Sequence, residues 1–319
     1  PDNISPKLLK LLEPSVLTPL TLIINKSISE GVVPDELKIA KVVPIFKAKD
    51  KRQFENYRPI SLLPPVSKLL EKVIHKRLYT FLSKNETFYQ SQYGFRPKRS
   101  TINATMEFAH DTLLSLEQRE LTLSVFMDLS KAFDTIDHVI LLQKLEFYGI
   151  RGLALKWFES YLSNRKQFVT YQNVTSNIKE ISCGVPQGSV LGPLLFIIYT
   201  NDLPNNLKYS KCILFADDTT IYKSSRNITE LFTNMNQDLS VISDWFKSNK
   251  LSLNANKTHY MLFSRVPDKH NNHPDLIIDN TVLKHENSVK FIGIHIDDTL
   301  NWQTHIEYIR KFLVVCMLS

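Results

Sequence analysis

A chain of 319 residues, 43% hydrophobic and 22% charged, can bury one large core or two modest ones, and its composition excludes a disordered tract. The formal net charge of +7 points to a polyanionic partner. Three scattered cysteines, Cys183, Cys212 and Cys316, exclude a disulfide framework or a C-x-x-C zinc site, and no apolar run reaches the roughly 18–20 residues that span a bilayer.

In chain order, basic charge concentrates first between Lys38 and Arg58, with seven Lys/Arg against two Asp/Glu. A helix is predicted over Ser67–Ser83, its apolar face carrying Leu69, Leu70, Val73, Ile74, Leu78, Phe81 and Leu82. Lys68, Lys72, Lys76 and Arg77 cover its other surface and read as a solvated basic face. Ser124–Met127 has strand composition and places Asp128 near the strand end; a helix follows through Ile140, Leu141, Leu142 and Leu145.

Three of the eight glycines fall in Gly184-Val185-Pro186-Gln187-Gly188-Ser189-Val190-Leu191-Gly192-Pro193. Glycine there permits close backbone approach to a ligand, or simply a turn. Neither G-x-G-x-x-G nor G-x-x-x-x-G-K-[ST] is present, which argues against a generic phosphate cradle. The run Leu194–Tyr199 reads as a buried helix beneath that loop. Cys212–Phe215 and Thr219–Tyr222 read as two strands meeting at a tight turn, with Asp217 and Asp218 at its tip. A second amphipathic helix is predicted over Leu231–Phe246, and Asp268–Asp275 reads as a polar loop. Helices mixed with short strands predict an α+β fold.

Taken alone, an Asp-Asp pair in a turn is an ordinary solvated turn, and Asp128 an ordinary acid at a strand end. Together they form a candidate hard-cation site. Crowded carboxylates carry a Coulombic cost that a bound cation removes. Mg²⁺ favours carboxylate oxygens and substrate phosphates, and a pair of ions about 3.5–4 Å apart serves phosphoryl transfer.

Phe126-Met127-Asp128-Leu129-Ser130-Lys131-Ala132-Phe133-Asp134, Gly184-Val185-Pro186-Gln187-Gly188-Ser189 and Phe215-Ala216-Asp217-Asp218 occur in the order of polymerase motifs A, B and C. With Asn56-Tyr57-Arg58-Pro59-Ile60-Ser61-Leu62-Leu63, Gln92-Tyr93-Gly94-Phe95-Arg96-Pro97 and Lys290-Phe291-Ile292-Gly293, the chain resembles the reverse transcriptase domain of non-LTR, Jockey-like retrotransposons over nearly its whole length.

The resemblance implies a right-hand polymerase with fingers and an antiparallel palm sheet, the thumb largely absent. Residues 1–26 would be an amino-terminal helical extension of the fingers, 27–296 the reverse transcriptase domain, and 297–319 the start of a truncated thumb. Within the domain, the palm would hold about 121–149 and 181–265, and Lys290–Ile296 the primer grip. The implied reaction is templated attack of a primer 3′-hydroxyl on the α-phosphate of a dNTP, with an RNA template, a DNA primer and two Mg²⁺ ions, Mn²⁺ being a substitute. Asp128, Asp217, Asp218 and the Leu129 carbonyl would hold the metals. Asp218 ranks third, because adjacent side chains on extended backbone point to opposite faces. Lys47, Arg58, Phe133, Gln187 and Gly188 would meet the nucleotide, with Phe133 excluding a 2′-hydroxyl. Arg96, Phe291 and Gly293 would hold template and primer, and Lys257 would protonate departing pyrophosphate.

Two other readings are a catalytically silent nucleic-acid-binding remnant and a group II intron-type reverse transcriptase. The first is separated by metal-dependent extension, the second by a downstream maturase segment. An intracellular protein with a nuclear site of action is expected. The chain begins at Pro1 and ends in the apolar pattern Phe312–Leu318, so an excerpt of a longer polyprotein, one able to carry an endonuclease, is expected.

Overall fold

The strand Leu121–Met127 is buried along nearly its whole length, because it lies between two others. In the computed structural model, which describes residues 4–172, 174–265 and 273–318, it pairs antiparallel with Asp218–Ser225 on one side and His259–Phe263 on the other. Lys211–Phe215 extends the sheet antiparallel beyond Asp218–Ser225, and the short strand Lys284–His285 adds a parallel edge next to His259–Phe263. β-branched and aromatic residues on this central strand suit a pleated surface covered on both faces.

The chain divides into two compact units, Pro1–Phe88 with Phe133–Thr200, and Tyr89–Ala132 with Asn201–Ser319. The sheet just described belongs to the second unit. Its core is aromatic: the Phe108 ring, from the helix Thr101–Glu117, lies 5.2 Å from Tyr222, 5.6 Å from Phe263 and 5.0 Å from Phe291. Such edge and tilted contacts add roughly 0.5–1.5 kcal/mol per pair beyond area burial. The helix Ile228–Ser248 buries Leu231, Met235, Leu239, Ile242 and Trp245, as its periodicity predicts. It starts earlier than the apolar pattern because the Asn227 side chain caps the Glu230 N–H. The buried Asp238 carboxylate on this helix accepts from the backbone N–H groups of Lys208, Tyr209 and Ser210, fixing the turn before Lys211–Phe215.

The first unit is built on a mixed sheet. Ile39–Phe46 pairs antiparallel with Tyr57–Leu62 and parallel with Arg165–Tyr171, which also pairs with Lys179–Ile181 and Val174–Thr175. The helix Gly192–Tyr199 is apolar all round and buried, as its sequence predicts. The helix Pro65–Lys84 corrects the expected apolar stripe: Leu69 and Phe81 are exposed, and the buried face runs through Ser67, Leu70, Glu71, Ile74, Leu78 and Leu82. A carboxylate on that face needs partners, and Glu71 has them. The polar loop predicted at Asp268–Asp275 lies largely outside the described residues. Among the described residues no helix is long and apolar enough to cross a membrane.

Candidate active site

In the second unit, Asp128 follows the last residue of the central strand, and Asp217 and Asp218 sit at the turn of the adjacent hairpin, where Phe215 pairs with Asp218. The turn depends on an αL residue, Ala216 at φ +57°. Residues other than Gly, Asn and Asp adopt that region at a cost, so the surroundings must hold it. A strap does so. Tyr93 N–H donates to the Leu214 carbonyl (2.7 Å), and Leu214 N–H donates to the Ser91 carbonyl (2.9 Å). Tyr93 and Ser91 hydroxyls both donate to the Glu107 carboxylate. Gly94 then passes so close that a Cβ on it would meet the Ala216 nitrogen at 2.1 Å. The motif quoted as Gln92–Pro97 is thus the support of the acid turn.

The three carboxylates feel one another. The Asp218 carboxyl is pushed up to about 6, first by the packing around it, then by the charges of Asp217 and Asp128. A cation would relieve that repulsion, so the donor set fits a hard divalent ion. Among the described residues no group of three or more His, Cys, Asp and Glu side chains is gathered closely enough to hold a metal alone. Lys257 Nζ stands 3.4 Å from Asp128 Oδ2. It is brought there by Ser252–Leu253, which pairs antiparallel with Leu129–Ser130, and by Asn254 N–H, which donates to the Asp128 carbonyl (2.8 Å).

Arg96 is half-buried, and its Nη1 donates to the Tyr89 carbonyl (2.8 Å). The Phe291 ring is in the core between Phe108 and Phe126, where it anchors the hairpin Ser288–Asp297 and is not presented to a ligand. Gly293 forms that hairpin's turn at φ +95° with open space beside it.

The nucleotide-side candidates lie in the first unit. Lys47 and Arg58 are both exposed, and the register that sets Ile45 opposite Arg58 puts them diagonally on one face of the hairpin. Phe133 is half-buried and stacks on Phe196 at 4.6 Å. The glycine-rich loop is zipped to the segment after Phe133: Val185 N–H donates to the Phe133 carbonyl (2.9 Å) and Gly184 N–H to the Ile136 carbonyl (2.7 Å). Gln187 Nε2 donates to Asp134 Oδ1 (2.9 Å), and its carbonyl accepts from Ser61 N–H (2.7 Å). Gly188, at φ +116°, has no room for a side chain, since a Cβ would meet the Ser61 carbonyl oxygen at 2.7 Å.

Sequence reasoning passed over Glu71. Its buried carboxylate accepts from Val190 N–H (2.5 Å) and Tyr161 OH (2.9 Å), tying the helix Pro65–Lys84 to the glycine-rich loop. Burial raises its pKa, against those two hydrogen bonds and the nearby Arg165 guanidinium. The available signal was the acid's place beside Leu70 and Ile74 on an otherwise apolar face.

The family model described as "Reverse transcriptase (RNA-dependent DNA polymerase)" matches residues 47–296. The chain is 28% identical to the RNA-directed DNA polymerase from mobile element jockey of Drosophila melanogaster, over 97% of this chain and 34% of that protein. It is 30% identical to the jockey polymerase of Drosophila funebris, over 96% of this chain and 34% of that protein. The chain therefore spans about a third of the length of these curated relatives. Its fold is similar to apo telomerase from Candida tropicalis truncated from its C-terminal domain, with a TM-score of 0.58 at 12% identity, covering 90% of this chain and 59% of the other.

Proposed function

The chain belongs to the reverse transcriptase family, and on that premise we propose that it copies RNA into DNA by adding dNTPs to a primer 3′-hydroxyl. The observation that carries this reading is the placement of Asp128 at the end of the central strand beside the hairpin turn that carries Asp217 and Asp218, where burial first, and then the charges of Asp217 and Asp128, push the Asp218 carboxyl up to about 6. Two bound Mg²⁺ ions, or Mn²⁺ in their place, would activate the attacking hydroxyl and stabilise the leaving oxygen.

Asp128 and Asp217 are the proposed principal ligands, with Asp218 and the Leu129 carbonyl completing the protein's share. The strand end and the supported turn hold these oxygens in place before substrate arrives, so little reorganisation is left for the reaction. Lys257, beside Asp128 on the same unit, can supply a proton to departing pyrophosphate. Lys47 and Arg58 are the proposed triphosphate contacts; the planar fork of Arg suits bidentate phosphate binding. Gln187 and Gly188 present a fixed loop edge to the nucleotide, Phe133 lies under its sugar, and the hairpin around Gly293 with Arg96 meets template and primer.

The test is divalent-dependent dNTP extension of a DNA primer on an RNA template, with Asp217→Asn prepared in parallel. Extension by the wild type alone supports the reading. Equal extension by both overturns the site. No extension by either, with template binding intact, favours a silent nucleic-acid-binding protein.

A further inference from the structure

The helix Pro65–Lys84 turns two different faces outward and inward. Its single carboxylate, Glu71, is buried against the glycine-rich loop. Its remaining charges, Lys68, Lys72, Lys76, Arg77 and Lys84, are all basic; Lys68 is half-buried and the other four are exposed. Among the described residues none of the five forms an ion pair. Lys68, Lys72 and Lys76 repeat every four residues, so they form one row that climbs the helix by about 6 Å per step. An unneutralised row of this kind carries a self-repulsion that a linear polyanion would relieve.

The row has a second component. His75 and Tyr79 fall on the same side of the helix as Lys68 and Lys72, four residues apart, with rings 6.1 Å apart and 3° from parallel. Tyr79 stacks in turn on Phe88 at 5.4 Å. His75 and Tyr79 are both half-exposed beside the ammonium groups. Cations that follow a phosphate backbone, with aromatic rings beside them on which bases stack, are the combination by which proteins bind single strands without reading sequence. A membrane-surface helix would instead pair its basic face with a broad exposed apolar face. Here that other face is buried in the protein.

We propose that the face of Pro65–Lys84 bearing Lys68, Lys72, Lys76, His75 and Tyr79 is an accessory binding track for a single-stranded polynucleotide. It holds the strand through its phosphates and base faces, without sequence preference. The inference extends the polymerase reading to a surface that needs none of the proposed catalytic residues, and it stands or falls by binding alone.

The test uses the full chain and fluorescence anisotropy with a labelled 20-nucleotide single strand, in RNA and DNA versions of one sequence, at salt from about 50 to 200 mM. The triple variant Lys68→Gln/Lys72→Gln/Lys76→Gln should lower the slope of log affinity against log salt by about 2, from three lost single-strand phosphate contacts. The matching Lys→Arg triple should keep the wild-type slope. Tyr79→Leu should weaken binding roughly tenfold with the slope unchanged, as expected for a lost stacking contact. Anisotropy needs no catalysis, so an inactive acid turn would leave the result readable. Loss with the RNA strand only would assign the track to template, and loss with the DNA strand only to product or primer. An unchanged slope in the Gln triple, with both strands, overturns the proposal. So does loss of binding to phosphatidylserine vesicles while polynucleotide affinity is unaffected.

Discussion

The backbone of Gly94 runs so near Ala216 that an added Cβ would sit 2.1 Å from the Ala216 nitrogen. The contact is backbone on backbone, so no side-chain rotation can relieve it. Gly94→Ala must displace either the strap or the αL turn that presents Asp217 and Asp218. Overpacking of this kind costs about 1–3 kcal/mol. Primer extension is expected to fall by 100-fold or more, since small displacements of catalytic groups have effects of that order. Single-strand binding should stay within a few-fold. A melting curve with parallel extension and anisotropy measurements checks it, and retained extension would remove the strap from its supporting role.

Glu71 is expected to give the protein a pH-dependent component of stability. Its folded-state pKa is raised, chiefly by burial, above the ordinary 4.5. Folding therefore favours the protonated form; this contribution is complete below the unfolded value and is lost as pH rises through the folded value. Glu71→Gln cannot titrate. It also sets an NH₂ against Val190 N–H or Tyr161 OH, leaving a buried donor unpaired at a cost of about 1–3 kcal/mol. Urea unfolding of both proteins at pH 5 and pH 8 should show the wild type's advantage shrinking with pH. An advantage that widens would contradict the assignment.

Lys257 and Asp128 form a partly exposed pair, a kind worth about 0.2–1 kcal/mol. Removing the ammonium takes away a competitor for the same carboxylate. Lys257→Met should tighten Mn²⁺ binding, followed by electron paramagnetic resonance, by about two- to fivefold on that energy. Lys257→Arg should leave it unchanged. Weaker binding in the Met variant would mean that the lysine helps to hold the site in shape.

Phe133 stacks on the fully buried Phe196, so it is both a packing residue and the proposed floor of the sugar site. Phe133→Val should raise ribonucleotide use relative to dNTP use by about tenfold or more, the scale on which small steric changes alter discrimination. Competing single-nucleotide incorporation measures the ratio directly. An unchanged ratio in a folded variant would restrict Phe133 to packing.

Much of the acid site was legible because its signals are local. Strand composition ends at Asp128, and two apolar runs flank Asp217 and Asp218, so pattern alone gave a strand end and a hairpin tip. Gly184 and Gly188 likewise announced positions where the backbone needs positive φ and no side chain. What escaped depends on partners distant in the sequence. Glu71 is stable inside only because Val190 and Tyr161, more than eighty residues away, bring donors to it. Leu69, two residues before Glu71, falls on the opposite side of the helix and is exposed. Phe291 belongs to a motif associated with primer handling, yet the sequence could not show that its ring completes the Phe108 cluster.

The order in which the central strand gains its neighbours has a consequence for biosynthesis. Leu121–Met127 leaves the ribosome long before Asp218–Ser225, and longer still before His259–Phe263, the two strands that cover its edges. At about 5–20 residues per second, that delay is on the order of ten seconds. Throughout it, a seven-residue segment with one Thr and one Ser among five apolar residues, and no charge, has both hydrogen-bonding edges open. The strand that precedes Asp128 is thus open to mispairing in the nascent chain, and chaperones are expected to occupy it during translation.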